Sequence, residues 1–323
     1  MKNYFKFTLT GKQLFPVWAL LILLFFIPYG FVQYQLQHLQ DIVPGSESFG
    51  VMAPWYALML LLILVEYAFM FYFIKLTVEH VEYNAKAFTF TGKFGDYMLL
   101  LIGGFLLTLI TLGIYGPWFL TKIMKYFTAN TRYEEDNFEF KGKGSELFLI
   151  ILLTLVIPMI LVMVILISTL VGVAIGTGVE PDNLKDTSTL IVVIVMFIIL
   201  IPYCYYVYKW YVNLRFRDYD IQWKTKFWSS AAQIALQMFL SFITLGIYSP
   251  LAMLKLYKYF AERTEANSAV ANKKFGYDLE SGKDFLFLWG QLLLTAITLG
   301  IWFPWAYSRI NKRIFGKTYV ETA

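Results

Sequence analysis

The sequence predicts an all-α integral membrane protein, an internally repeated helical bundle with short extended cytoplasmic segments between its repeats. Three observations predict it. Of 323 residues, 59% are hydrophobic and only 15% charged, against about a quarter charged in soluble domains. Long apolar runs follow one another along the chain, and uncharged stretches of ~18 residues or more belong to membrane helices. One stretch, Thr-Leu-Gly-Ile-aromatic-x-Pro, occurs at Thr111–Pro117, again at Thr244–Pro250 and again at Thr298–Pro304. Recurrence of that length implies repeated structural units.

Taken in order, residues 5–15 alternate aromatic and polar side chains, which predicts a short strand and a turn at Gly11. Lys2, Lys6 and Lys12 before an apolar run imitate a signal peptide, but the run is too long and no small-x-small site follows, so a retained helix over about 14–37 is expected. A loop with Asp41, Pro44, Gly45 and Glu47 leads to a second helix, about 55–76. The third run, 97–120, carries the first Gly-Pro break. The fourth, 147–173, carries Pro158; a loop with Glu180, Asp182 and Asp186 separates it from the fifth, 190–212. The sixth, 227–254, and the seventh, which ends near Tyr307, carry the other two breaks.

Short aromatic lead-ins precede these helices, with second aromatics at Phe7, Phe90, Phe140, Ile221 and Tyr277. Subtracting residue numbers gives spacings of 83, 50, 81 and 56. A single membrane domain, 1–323, of five units follows. Units 1–84 and 135–216 hold two helices each; units 85–134, 217–272 and 273–323 hold one broken helix each.

Charge bears on sidedness. If every run crosses the bilayer, the 27 Lys and Arg divide 13 to 14 between the two sides, and the usual cytoplasmic excess of cations is lost. If the three broken runs enter and return, 26 lie on one side and only Lys185 on the other. Both arrangements stay open, because broken backbone in hydrocarbon must be covered by other helices or by a wet cavity.

The lead-in Phe138-x-Phe140-x-Gly142-x-Gly144-x-Glu146-Leu147-Phe148, together with the recurring Thr-Leu-Gly-Ile-Tyr-x-Pro-Trp, resembles the YjgN-like family of bacterial inner-membrane proteins, a domain of unknown function. The resemblance covers essentially the whole chain. It implies a multi-pass location in the bacterial inner membrane, and it brings neither substrate nor catalytic residue. The fourth unit departs from the pattern: Ile221 and Trp223 replace Phe-x-Phe, no Gly-Lys follows, and Leu251 stands where the others have tryptophan.

Each candidate site residue has two readings. Glu66, inside an apolar run, is a proton or cation site or a carboxylate reaching the interface. Gln233, Gln237 and Gln291 line a polar path or bond helix to helix. Thr111, Thr244 and Thr298 meet a substrate or bond the carbonyls that proline frees. The cations Lys122/Lys125, Lys255/Lys258 and Arg309/Lys312 touch anionic headgroups or draw in an anionic solute. Gly113/Pro117, Gly246/Pro250 and Gly300/Pro304 break the helices. The aromatic run 203–211 fits an interface belt, and His38, His80 and Cys204 stand alone.

One cysteine excludes an intramolecular disulfide, and two histidines give no metal spacing, so no metal and no cofactor are expected. Without a nucleophile motif or phosphate loop, no enzyme is expected. The function expected is a transporter or channel for a small anionic or amphipathic solute, since interrupted helices in duplicated halves point to a midplane site. The alternative is a non-transporting scaffold or lipid-interaction protein. Membrane lipids are the expected partners, nucleic acid is not, and a homo-oligomer is compatible with the sequence.

Overall fold

In a computed structural model, which describes residues 1–42, 48–177 and 185–322, ten short strands close into an antiparallel β-barrel. The all-α expectation is therefore corrected to a barrel with helices rising from it. Pro44, Gly45, Glu47, Glu180 and Asp182 lie outside the described residues.

The strands are β1 (Lys2–Phe7), β2 (Val81–Tyr83), β3 (Lys86–Phe90), β4 (Thr131–Tyr133), β5 (Asp136–Phe140), β6 (Leu214–Phe216), β7 (Tyr219–Trp223), β8 (Thr264–Asn267), β9 (Asn272–Tyr277) and β10 (Thr318–Thr322). Each pairs with the next, and β10 closes on β1 with Lys2 opposite Glu321 and Tyr4 opposite Tyr319. Closure leaves no strand edge unpaired, which is how strands of three to six residues persist. Side chains alternate along each strand, so β1, β3, β5, β7 and β9 end on a buried inward residue: Phe7, Phe90, Phe140, Trp223 and Tyr277. Trp223, not Ile221, is thus the fourth unit's counterpart of the second aromatic. The spacings become 83, 50, 83 and 54 by subtraction, and that unit's lead-in is a strand like the others.

Neighbouring strands are joined alternately in two ways. At one rim lie tight turns: Asn84-Ala85, Glu134-Glu135, Arg217-Asp218 and the longer 268–271. Asn84, Ala85, Glu134 and Arg217 take left-handed φ there. At the other rim the chain leaves on a helical excursion and returns to the adjacent strand. All five excursions end on the same backbone bond. Thr8, Thr91, Lys141, Lys224 and Asp278 N–H groups donate to the carbonyls of His80, Asn130, Asn213, Arg263 and Lys317, each at 2.8–2.9 Å.

The first excursion holds α1 (Gly11–Leu21), α2 (Ile27–Ile42) and α3 (Ser48–Glu79). A π-turn at Ile22–Phe26 joins α1 to α2 and accommodates Pro28, which has no N–H to give. The third excursion repeats this with α6 (Gly144–Ile151), a π-turn at Leu152–Val156 before Pro158, α7 (Ile157–Thr177) and α8 (Lys185–Tyr211). Gly11–Ile42, Gly50–Glu79 and Gly144–Ser168 are long and apolar enough to cross a membrane.

The other excursions are helical hairpins: α4 (Phe94–Ile110) with α5 (Gly116–Ala129), α9 (Phe227–Ile243) with α10 (Ser249–Ala261), and α11 (Ser281–Ile297) with α12 (Phe303–Phe315). Their tips are alike. Leu112 and Gly113, Leu245 and Gly246, Leu299 and Gly300 all have positive φ. The glycine N–H reaches back five residues, as Gly113 does to the Thr108 carbonyl at 2.8 Å, which ends the first helix in a Schellman turn. Proline at the first turn starts the second helix.

Seven residues beyond each inward aromatic sits a fully buried side chain: Leu14, Tyr97, Leu147, Ser230 and Asp284. These mark the junction of barrel and helices.

Candidate functional site

The barrel encloses a cavity of about 660 Å³, within the usual range for small-molecule sites. The inward residues one step above the buried aromatics form its wall. Rings run from strand to strand around half the lumen. Phe5 lies 4.8 Å from Tyr83, Tyr83 5.8 Å from Tyr133, Phe88 5.0 Å from Tyr133, and Phe138 4.4 Å from Phe216, centroid to centroid. The facing strands mix the smaller Thr264, Ala266, Thr318 and Val320 with Tyr219 and Phe275. Two tyrosines from helix ends line it as well: Tyr208 of α8 and Tyr257 of α10, whose hydroxyl meets Thr318 Oγ1 at 2.9 Å.

Charge gathers at the mouth. Glu134 accepts from Lys86 Nζ and from Arg217 Nη2 at 2.6 Å, and Arg217 also donates to Asp136. These contacts join three tight turns of the rim. The bonds to Lys86 and then to Arg217 hold the Glu134 carboxyl below its ordinary range. Lys273 differs. It points inward between Tyr219 and Phe275, with its ammonium 4.4 Å over the Tyr219 ring, and it forms no ion pair among the described residues. Glu134 and Glu321 also line the cavity, but no ion pair to Lys273 is formed among the described residues, and a half-buried cation over an aromatic ring is suited to an anionic group on an apolar body.

The residues singled out in the sequence lie elsewhere. Thr111, Thr244 and Thr298 sit at the hairpin tips, bonded to backbone. Each hydroxyl donates to the carbonyl four residues back, at 2.7, 2.7 and 2.8 Å, and accepts the N–H four residues ahead, at 3.0, 3.1 and 3.0 Å. Gln237 and Gln291 are buried and bond inside their own hairpins, to Tyr248 Oη at 3.0 Å and Trp302 Nε1 at 3.2 Å. Gln233 is half-buried on α9, and Glu66 is exposed on α3. Lys122, Lys255 and Arg309 each lie over the ring seven residues before, Tyr115, Tyr248 or Trp302, at 5.5, 5.4 and 5.1 Å. Lys125 and Lys312 are exposed, and Lys258 pairs with Glu262. Pro117, Pro250 and Pro304 are buried in the first turn of the second arm. None of these residues lines the barrel cavity. In the aromatic run, Tyr205 and Trp210 are core and Tyr208 faces the lumen. The lumen went unread because β2, β4 and β6 have three residues each, too few to display alternation.

A family model described as "Bacterial protein of unknown function (DUF898)" matches residues 3–277. Among curated proteins, the "Inner membrane protein YjgN" of Salmonella typhimurium (strain LT2) is 43% identical over 63 residues, 20% of this chain and 16% of that protein. The protein of the same name from Escherichia coli (strain K12) is 33% identical over 75 residues, 23% of this chain and 19% of its own length. The chain thus spans less than a fifth of the length of the curated relatives it matches. No solved structure matches it. The apolar helices and these relatives together identify a membrane protein.

Proposed function

The chain belongs to the DUF898 family of bacterial proteins, and on that premise we propose that it is a membrane-held binding barrel whose lumen takes a small amphipathic anion. The two long helical excursions cross the inner membrane and return, and the three hairpins dip into it from the barrel side. Their arms support this. At 1.5 Å per residue, 17 residues reach about 25 Å, short of the ~30 Å hydrocarbon core. Their tip leucines, Leu112, Leu245 and Leu299, are 93, 93 and 92% exposed, a placement suited to lipid rather than water.

The observation that carries the binding proposal is Lys273, unpaired and turned into an aromatic cavity. Binding without transport is favoured because the cavity lies within the barrel, where Tyr208 and Tyr257 join its lining, and not among the hairpin breaks. The test is calorimetry on the purified full chain with 2-naphthoate as probe. Lys273→Gln is expected to weaken binding about tenfold or more, the loss of one charge-assisted bond. Phe138→Ala weakens it through the wall. Absence of binding, or equal binding by Lys273→Gln, overturns the proposal.

A further inference from the structure

The second hairpin borders an open groove. A cavity of about 390 Å³ lies where α9 and α10 meet α8, and no charged residue lines it among the described residues. Its wall includes Phe197 of α8 and Phe242 of α9, with ring centroids 5.0 Å apart, and Met253 of α10. The volume falls in the range of small-molecule sites.

Gln237 supplies the polar feature. Its side chain is 4% exposed and lines the groove. Its Oε1 accepts from Tyr248 Oη at 3.0 Å, while its Nε2 has no partner among the described residues. The described side-chain atoms that are both sealed and unpartnered are Asn213 Oδ1, Trp223 Nε1 and Tyr277 Oη. Gln237 Nε2 is unpartnered and is not one of them, so it keeps accessible surface, and the space Gln237 borders is this groove. Ser249, which opens α10, also lines it, and its hydroxyl has no partner among the described residues. Ser241 lines it too, but its proton goes to the Gln237 carbonyl at 2.8 Å. The groove thus offers two free donors and no charge. A nearly buried donor without an acceptor is costly, so the complement is a neutral ligand with an acceptor.

Counting back from the proline, Gly104 and Gln291 stand where Gln237 does, and Gly116 and Phe303 where Ser249 does. Amide and hydroxyl therefore occur together only in the second hairpin. In the first, the Phe119 ring lies against Gly104 instead. Gln237 is ten residues past Phe227 by subtraction, about 15 Å along α9. With the hairpins dipping into the bilayer as proposed above, that depth is mid-hydrocarbon; only the depth rests on that reading. A phospholipid ester bound there would bring its phosphate into the apolar core, where no charged side chain of the groove meets it.

We infer that the groove binds the head of a lipid-soluble quinone. A ring carbonyl accepts from Gln237 Nε2 and Ser249 Oγ, the ring lies against Phe197 and Phe242, and the tail leaves into lipid. The site is separate from the barrel lumen.

The test titrates decylubiquinone into the purified full chain in detergent and follows quenching of tryptophan fluorescence. Trp289 is a nearby reporter, since its Nε1 donates to the Ile247 carbonyl at the tip of this hairpin, at 2.8 Å. Saturable quenching is expected. Gln237→Leu should raise the half-saturating mole fraction about tenfold, and Ser249→Phe should abolish saturation by filling the groove. Ser249→Ala keeps the bond between Gln237 and Tyr248, so it should weaken binding while leaving thermal unfolding without quinone unchanged. Lys273→Gln should leave the titration as it is, which separates this site from the lumen. Absence of saturable quenching, unaltered titrations in Gln237→Leu and both Ser249 variants, loss of quenching in Lys273→Gln, or displacement by phosphatidylglycerol at equal mole fraction overturns the inference.

Discussion

At the residue scale, the three hairpins place different chemistry at equivalent positions and compensate across the pair of arms. Where α4 has Gly104, the facing α5 has Phe119, and a Cβ on Gly104 would lie 2.0 Å from that ring. Where the other hairpins have Gln237 and Gln291, the facing residues are the buried Ala252 and Ala306. Volume is conserved across the gap. At the hairpin base the pairs are Tyr97 with Tyr126 in ring contact, Ser230 with Tyr259 at 3.1 Å, and Asp284 with Arg313. Gly104→Gln alone should destabilise by about 1–3 kcal/mol or more through overpacking. Phe119→Ala alone should cost about 3–5 kcal/mol through the cavity it leaves. The double variant, which rebuilds the arrangement of α9 and α10, should unfold thermally close to the parent, a strongly non-additive cycle. Additive losses would show that the two sites do not share one gap. The glutamines and threonines were legible as hairpin residues because their spacing from the break is constant. Their role was not: a bond from Gln237 to Tyr248 depends on which arm faces which, and periodicity along one helix does not carry that.

At the element scale, the strands that were legible are those with five or six residues and alternating aromatics, such as β1, β3 and β5. Their partners β2, β4 and β6 were not, because three residues hold extended form only when neighbours on both sides bond them, which is a property of closure. The seam tests this. Asp278, just after β9, reaches over β10 to Lys2 Nζ at 2.8 Å and Tyr4 Oη at 2.7 Å on β1. Burial pushes its carboxyl up, but the bonds to Lys2 and Tyr4 outweigh burial and hold it below the ordinary 3.8. A carboxyl lowered in the folded state contributes stability that is complete above its unfolded value and is lost as pH falls through its folded one. Hydrogen exchange of the β10 amides should therefore quicken below about pH 4 relative to β6, once intrinsic rates are removed. Asp278→Asn should show the quickened exchange already at neutral pH, with no further acid step at this site. An unchanged β10 profile in that variant would mean that the ladder alone closes the barrel.

At the scale of the whole molecule, the distribution of cations left two arrangements open, and only the one in which the broken runs enter and return groups segments 75–93 and 122–143 together. Their strands pair, with Phe90 opposite Thr131, and every other cation-bearing segment likewise joins the barrel or a helix end beside it. Lys185 instead begins α8, about 40 Å along that helix from β6 at 1.5 Å per residue. What the count did not convey is that these segments join in a barrel, because charge reports where backbone lies and not how it pairs. The arrangement makes a sharp prediction about sidedness. The β4–β5 turn at Glu135 and the β8–β9 turn near Val270, which is 90% exposed, lie on the same rim. In a Cys204→Ser background, Glu135→Cys and Val270→Cys should react with a membrane-impermeant maleimide from one side of oriented vesicles only, and from the same side. Leu112→Cys, at a hairpin tip, should resist the reagent from both sides and react only with a lipid-soluble maleimide. Seven simple crossings would put positions 135 and 270 on opposite sides. Labelling of Leu112→Cys from the side opposite Glu135→Cys would mean that α4 spans the bilayer, and the hairpins would then be short membrane-crossing pairs.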